Sequence, residues 1–174
     1  WKVEATKVDD TQVELRVGRL LHSVRGGAQD MVNIADVGFG VSQTLPVLVA
    51  LLIAKAGQLV YIEQPEIHLH PKAQVAMAQL LADAANRGVR VVVETHSSLL
   101  LRSIQTLVVK NVVPSRLVKL HWFTRNSTNG VTEVVSANVD DTGAFGSWPA
   151  DFDDVTLSTE SAYLDAVEVK EATT

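Results

Sequence analysis

The stretch Gln58-Leu59-Val60-Tyr61-Ile62-Glu63-Gln64-Pro65-Glu66-Ile67-His68-Leu69-His70-Pro71 decides the fold. It opens apolar, from Leu59 to Ile62, and turns abruptly to acid, amide and imidazole. A short apolar run bounded by polar groups and a proline predicts a buried strand. In a parallel sheet, the residue at the C-terminal end of such a strand faces a ligand crevice. Here that residue is Glu63, followed by Gln64, Glu66, His68 and His70.

Working outward, Pro71 is placed to open a helix with His70 on its N-cap side. Ala73, Ala76, Met77, Leu80, Leu81 and Ala84 share one face of that helix, and Gly88 closes it. Val89 to Val93 predicts a second buried strand, ending in Glu94-Thr95-His96-Ser97, with a further helix from Ser98 to Val109. Upstream, Leu45 to Ala56 predicts a helix apolar on most faces and hence buried, with Pro46 in its first turn and Gly57 ending it. Trp1 to Val8 and Val13 to Leu21 predict a hairpin turned by Asp9-Asp10, with a loop at Gly26-Gly27. Leu117 to Thr124 and Val131 to Val139 predict another hairpin, and Thr156 to Lys170 a final helix. The strand–helix–strand–helix order between hairpins predicts an α/β fold with a parallel sheet core, flanking helices and antiparallel hairpins. One domain over 1–174 is expected, divided into a hairpin region (1–35), a core (36–113) and a C-terminal hairpin and tail (114–174).

Composition narrows the class. The chain has 174 residues, 47% hydrophobic but only 5% aromatic, which predicts an aliphatic core. A net charge of −5 argues against a broadly basic nucleic-acid surface. Without cysteine there are no disulfides and no thiolate metal sites. The apolar run Val47 to Ala56 is too short to span a bilayer, and no signal peptide is evident, so a cytoplasmic protein without a membrane is expected. The chain opens on Trp1 inside a strand pattern, which suggests a piece of a longer protein.

Three loops carry the chemistry. Gly38-Phe39-Gly40-Val41-Ser42-Gln43 precedes a helix, and glycines there allow a phosphate to approach free backbone N–H groups. Glu63-Gln64-Pro65-Glu66 places carboxylates at a strand end, which suits a hydrated Mg²⁺. Glu94-Thr95-His96-Ser97 ends the second strand, and adjacent βα units would set Glu63 and His96 on one sheet edge.

In this order the loops resemble the nucleotide-binding core of ABC-class ATPases. The likeness is to the SMC-like and OLD-like branch, many of whose members have DNA-repair or phage-defence associations. Asp36 to Gln43 resembles the signature loop, Leu59 to Glu63 the Walker B strand, Pro65 to Pro71 its continuation into the D-loop, and Thr95-His96-Ser97 the switch histidine. The resemblance implies a P-loop NTPase-like fold, present here as a partial ABC-type nucleotide-binding domain, with ATP and Mg²⁺ as cofactors. It implies that Glu63, where many relatives have Asp, holds Mg²⁺ through water, and that His96 contacts the γ-phosphate. Gly38, Gly40, Ser42 and Gln43 would close on the ATP of a partner in a head-to-tail homodimer. DNA or a nuclease is a further partner the family suggests.

Two departures stand out. No Gly-Lys pair occurs, so a missing N-terminal Walker A lobe must supply the phosphate cradle, and the chain alone is expected to be inactive. Gln64 stands where the catalytic Glu usually follows; an amide can orient water but cannot accept its proton, so Glu66 is a candidate to share that task. Two rival readings remain. Glu66, His68, His70 and His96 could ligate a hydrolytic metal. Alternatively the lobe is a non-catalytic assembly module, docking through Asp140-Asp141-Thr142-Gly143 and Trp148-Pro149, unless Phe145, Trp148 and Phe152 simply pack that tail on the core.

Overall fold

The computed structural model describes residues 2–18 and 31–146, with further helical residues at Ser158, 161–168 and Lys170. The Gly26-Gly27 loop and the Trp148, Pro149 and Phe152 expectations lie outside the described residues. Strands β1 (Lys2–Lys7) and β2 (Val13–Gly18) pair antiparallel, from Lys2 opposite Gly18 to Lys7 opposite Val13. The Asp9 carboxylate makes their turn by accepting the N–H groups of Thr11 and Gln12. A short β3 (Met31–Asn33) extends the predicted hairpin to a three-stranded meander. Asn33 then caps a 3-10 turn by accepting the Ala35 N–H.

Helix α1 (Phe39–Ile53) corrects the sequence reading in three ways. It starts at Phe39, not Leu45, so Gly40, Ser42 and Gln43 are helical. Pro46 therefore lies inside the helix, where it has no N–H to give the Ser42 carbonyl. The helix ends before Gly57, at an extended Ala54. Nor is it buried all round: Leu51 packs fully, whereas Phe39, Leu52 and Ile53 are exposed.

β4 (Leu59–Glu63) and β5 (Arg90–Glu94) form a parallel pair, joined through α2 (Pro71–Asn86). His70 and Pro71 open α2 as expected, because proline loses nothing at a position whose N–H has no helical partner. Met77, Leu81 and Ala84 are buried on α2 as predicted, but Ala76 is exposed and Ala78 and Ala82 are buried instead. α3 (Ser98–Val109) follows β5. Leu51, Ile62, Met77, Leu81 and Leu100 join three helices to one face of the sheet. Burying each large side chain contributes about 1.5–3 kcal/mol. The strand pattern predicts a covered opposite face, but among the described residues nothing covers it: Leu59, Tyr61 and Val92 are 65%, 55% and 48% exposed.

Hairpin β6 (Lys119–Arg125) and β7 (Thr132–Asn138) comes next, its turn held by the Asn126 side chain accepting from Thr128 and Asn129 N–H. Ala82, Val108, Val113, Val139 and Phe145 form a second cluster fastening this region to α2 and α3. The Asp140–Ala144 turn is itself anchored on α3, where Gln105 Nε2 donates to the Gly143 carbonyl at 2.7 Å. Among the described residues, no helix is long and apolar enough to cross a membrane.

Candidate functional site

The site starts from strand register. Glu63 pairs with Glu94 at the C-terminal ends of β4 and β5, and the Gln64 N–H continues the ladder to the Glu94 carbonyl at 2.7 Å. Register partners in a parallel pair point to one face, so the two exposed carboxylates stand on neighbouring strands about 4.8 Å apart. Tyr61, two residues back on the same face, donates its hydroxyl to Glu94 Oε2 at 3.2 Å. Partial desolvation first, then that hydrogen bond and the charges of Glu63 and Glu94, hold the Tyr61 phenol above its ordinary ionisation range. Adjacent carboxylates open to water fit a hydrated divalent cation such as Mg²⁺, which takes few protein oxygens and keeps its waters.

Beyond the edge, the chain turns sharply. Gln64 and His68 adopt left-handed conformations, φ +42° and +63°, which cost a non-glycine residue about 1–2 kcal/mol each. The loop is braced from within by Ile67 N–H to Gln64 O at 3.1 Å and Leu69 N–H to Glu66 O at 2.9 Å. It is also tied to the loop after β5. The His96 N–H donates to Glu66 Oε1 at 3.0 Å, across 30 residues of sequence. Gln74, on α2, donates to the Leu69 carbonyl and accepts from the Ser97 hydroxyl at 2.8 Å. Ser97 Oγ in turn caps α3 by accepting the Leu100 N–H. The His96 side chain is exposed beside this network.

The start of α1 meets the same loop. A Cβ on Gly40 would stand 2.9 Å from the His68 carbonyl, so glycine is required there by packing. Next to it the Phe39 and His68 rings contact each other at 5.6 Å. Gly38 differs: its φ of −53° suits any residue and nothing lies within 4 Å of its Cβ position. It also forms the N-terminus of α1 without a side-chain cap, whereas His70 and Ser97 cap α2 and α3. The exposed, uncapped end of α1 is therefore the one suited to an anion. Ser42 sits in the first turns, its hydroxyl donating to the Phe39 carbonyl at 3.1 Å, and Gln43 is exposed beside it.

Glu63, Gln64, Glu66 and His96 thus meet at one sheet edge. Gly38, Gly40, Ser42 and Gln43 form a separate helix start that touches the edge loop through Phe39 and Gly40. The rival metal set does not assemble. The His70 ring caps α2 through Nδ1, His68 packs on Phe39, and Glu66 binds the His96 backbone. Among the described residues, no three His, Asp or Glu side chains gather as metal ligands. The Tyr61–Glu94 partnership escaped the sequence reading, although Glu94 ends its strand as Glu63 does.

A family model described as "AAA domain, putative AbiEii toxin, Type IV TA system" matches residues 4–102. No curated protein matches the chain. Among solved structures, a chain described under "Structural biochemistry of ATP-driven dimerization and DNA stimulated activation of SMC ATPases" is similar, with a TM-score of 0.50 at 14% identity. The match covers 77% of this chain and 73% of that one, and it supports a P-loop NTPase-like fold.

Proposed function

The chain belongs to the AAA-domain family described as putative AbiEii toxin, type IV toxin–antitoxin system, and from its general ATPase-type character we propose a finer reading: a nucleotide-site half that works in an ATP-dependent head-to-tail dimer. The observation that supports it is the convergence of Glu63, Gln64 and the His96 loop on one parallel-strand edge, with a separate uncapped helix start at Gly38.

In this reading Glu63 orients the water shell of Mg²⁺, with Glu94 adding negative charge beside it. When bound, Mg²⁺ would supply charge neutralisation at the phosphate groups of the ATP substrate. Gln64 positions the attacking water through its amide but takes no proton from it. His96, exposed at the end of β5, donates to the γ-phosphate. The chain contains no G-x-x-x-x-G-K-[ST] sequence, so another segment or subunit provides the phosphate cradle. Gly38 and Ser42 close on the nucleotide of the opposite subunit, where free N–H groups meet negative charge. ATP-driven dimerisation, the behaviour named for the similar SMC ATPase, is the expected mode of action. A setting in DNA repair or phage defence, with DNA or a nuclease as partner, extends the same proposal.

The test is made on the intact gene product. It is expected to hydrolyse ATP with Mg²⁺ and to dimerise when ATP is added. Ser42→Arg is expected to weaken the ATP-linked dimer roughly 100-fold, because a bulky side chain at this helix start blocks the approach, while nucleotide still binds each subunit. Sedimentation with and without ATP measures this. An ATP-linked dimer without turnover would favour the assembly-module reading, in which Gln64 has ended hydrolysis. Absence of both the ATP-linked dimer and turnover would overturn the proposal.

A further inference from the structure

We infer that Glu66 is a positioning residue for the switch histidine. Its consequence rests on the ATPase reading; its first test does not. Glu66 lies in the loop after β4, yet its Oε1 accepts the backbone N–H of His96 at 3.0 Å, across 30 residues of sequence. Its other oxygen, Oε2, is buried without a hydrogen-bond partner. A carboxylate in this arrangement has one oxygen engaged and one closed to solvent. It is poorly placed to take a proton from an incoming water, because Oε2 is closed to solvent and Oε1 already accepts the His96 N–H.

The same arrangement suits a latch. The N–H of a residue just past a strand end has no ladder partner, and a charged acceptor fixes it more firmly than a neutral one. Fixing the His96 backbone sets where its exposed imidazole stands relative to Glu63. The neighbouring Gln74–Ser97 bond holds the start of α3 but does not touch the His96 N–H, so the two ties are separable. Glu66 therefore acts through His96, and the strained loop at Gln64 and His68 holds the carboxylate in reach.

Amide hydrogen exchange of the protein without nucleotide is the first experiment. Glu66→Leu is expected to speed exchange at the His96 amide roughly ten- to hundredfold, the range for losing a hydrogen bond to a charged group. Glu66→Gln retains an acceptor oxygen and is expected to change it by about threefold or less, the smaller loss of a neutral acceptor. The Leu100 amide, held by Ser97, reports whether the fold is intact. Unchanged His96 exchange in Glu66→Leu, with Leu100 still protected, overturns the inference. If Glu66→Leu unfolds the protein, His96 exchange in Glu66→Gln decides alone: a rise matching the fully exposed amide would show that no latch forms through this oxygen.

The second experiment is kinetic. In the ATP-hydrolysing gene product, Glu66→Leu is expected to lower kcat with KM for ATP little changed, and Glu66→Gln to restore most of the rate. Equal loss in both variants would assign the carboxylate a proton-transfer role and overturn the positioning role. An inactive wild-type protein would count against the ATPase reading, while the exchange result would still decide the latch.

Discussion

Glu63→Ala is expected to lower ATP turnover of the intact gene product roughly 100-fold, the upper range for residues that orient a metal through its ligands. The expectation rests on where the side chain stands. Glu63 ends a strand whose backbone is fixed by five register pairs to β5, so its carboxylate is held without any loop to tune it. Removing it leaves Glu94 on the same face, but Glu94 is engaged by the Tyr61 hydroxyl and does not sit on the strand that continues into Gln64. The loss should fall on kcat at saturating Mg²⁺, and raising Mg²⁺ should recover part of it if the remaining carboxylate still attracts the cation. Turnover within threefold of wild type would show that Glu63 has no part in the reaction.

Gly143→Ala is expected to cost about 3 kcal/mol and lower Tm by roughly 6–12 °C for a chain of this size. Two penalties coincide there. The backbone has φ +76°, where a Cβ is strained in itself. That Cβ would also stand 2.8 Å from Val109 Cγ2 and 3.0 Å from the Gln105 carbonyl, so the turn would have to lift off α3. Lifting it breaks the Gln105–Gly143 bond and loosens Phe145 from the second core cluster. Gly38→Ala is the milder comparison: its backbone is unstrained and the space around it is open, so only the poorer N-cap character of alanine counts and Tm should fall by no more than about 3 °C. Equal melting of both variants would refute the packing argument.

The sequence made the strand-edge part of the site legible because its signals are local. A proline at the first helical position, a histidine before it and an apolar run ahead place β4 and α2 almost to the residue. The start of α1 was misplaced because two local rules competed. Gly38-Phe39-Gly40 looks like a loop and Pro46 like a helix start, yet a close approach to His68 fixes Gly40 inside the helix. Burial failed differently. Periodicity shows that Leu59, Tyr61 and Val92 are apolar, but not whether a layer lies over them, and among the described residues the helices pack on the other face. The Glu66–His96 bond was invisible for a third reason: it joins two loops through the fold, and no spacing rule reaches across 30 residues.

Tyr61 gives the strand edge an optical indicator. Its phenol lies on the face shared by Glu63 and Glu94 and bonds one of them, so its ionisation follows the charge those carboxylates present. A cation settling between them would cancel part of that charge and make the phenolate easier to form. Only one other tyrosine, Tyr163, stands in the chain, on the C-terminal helical residues. Ultraviolet titration of a Tyr163→Phe background would thus watch this edge directly, with no label and no turnover.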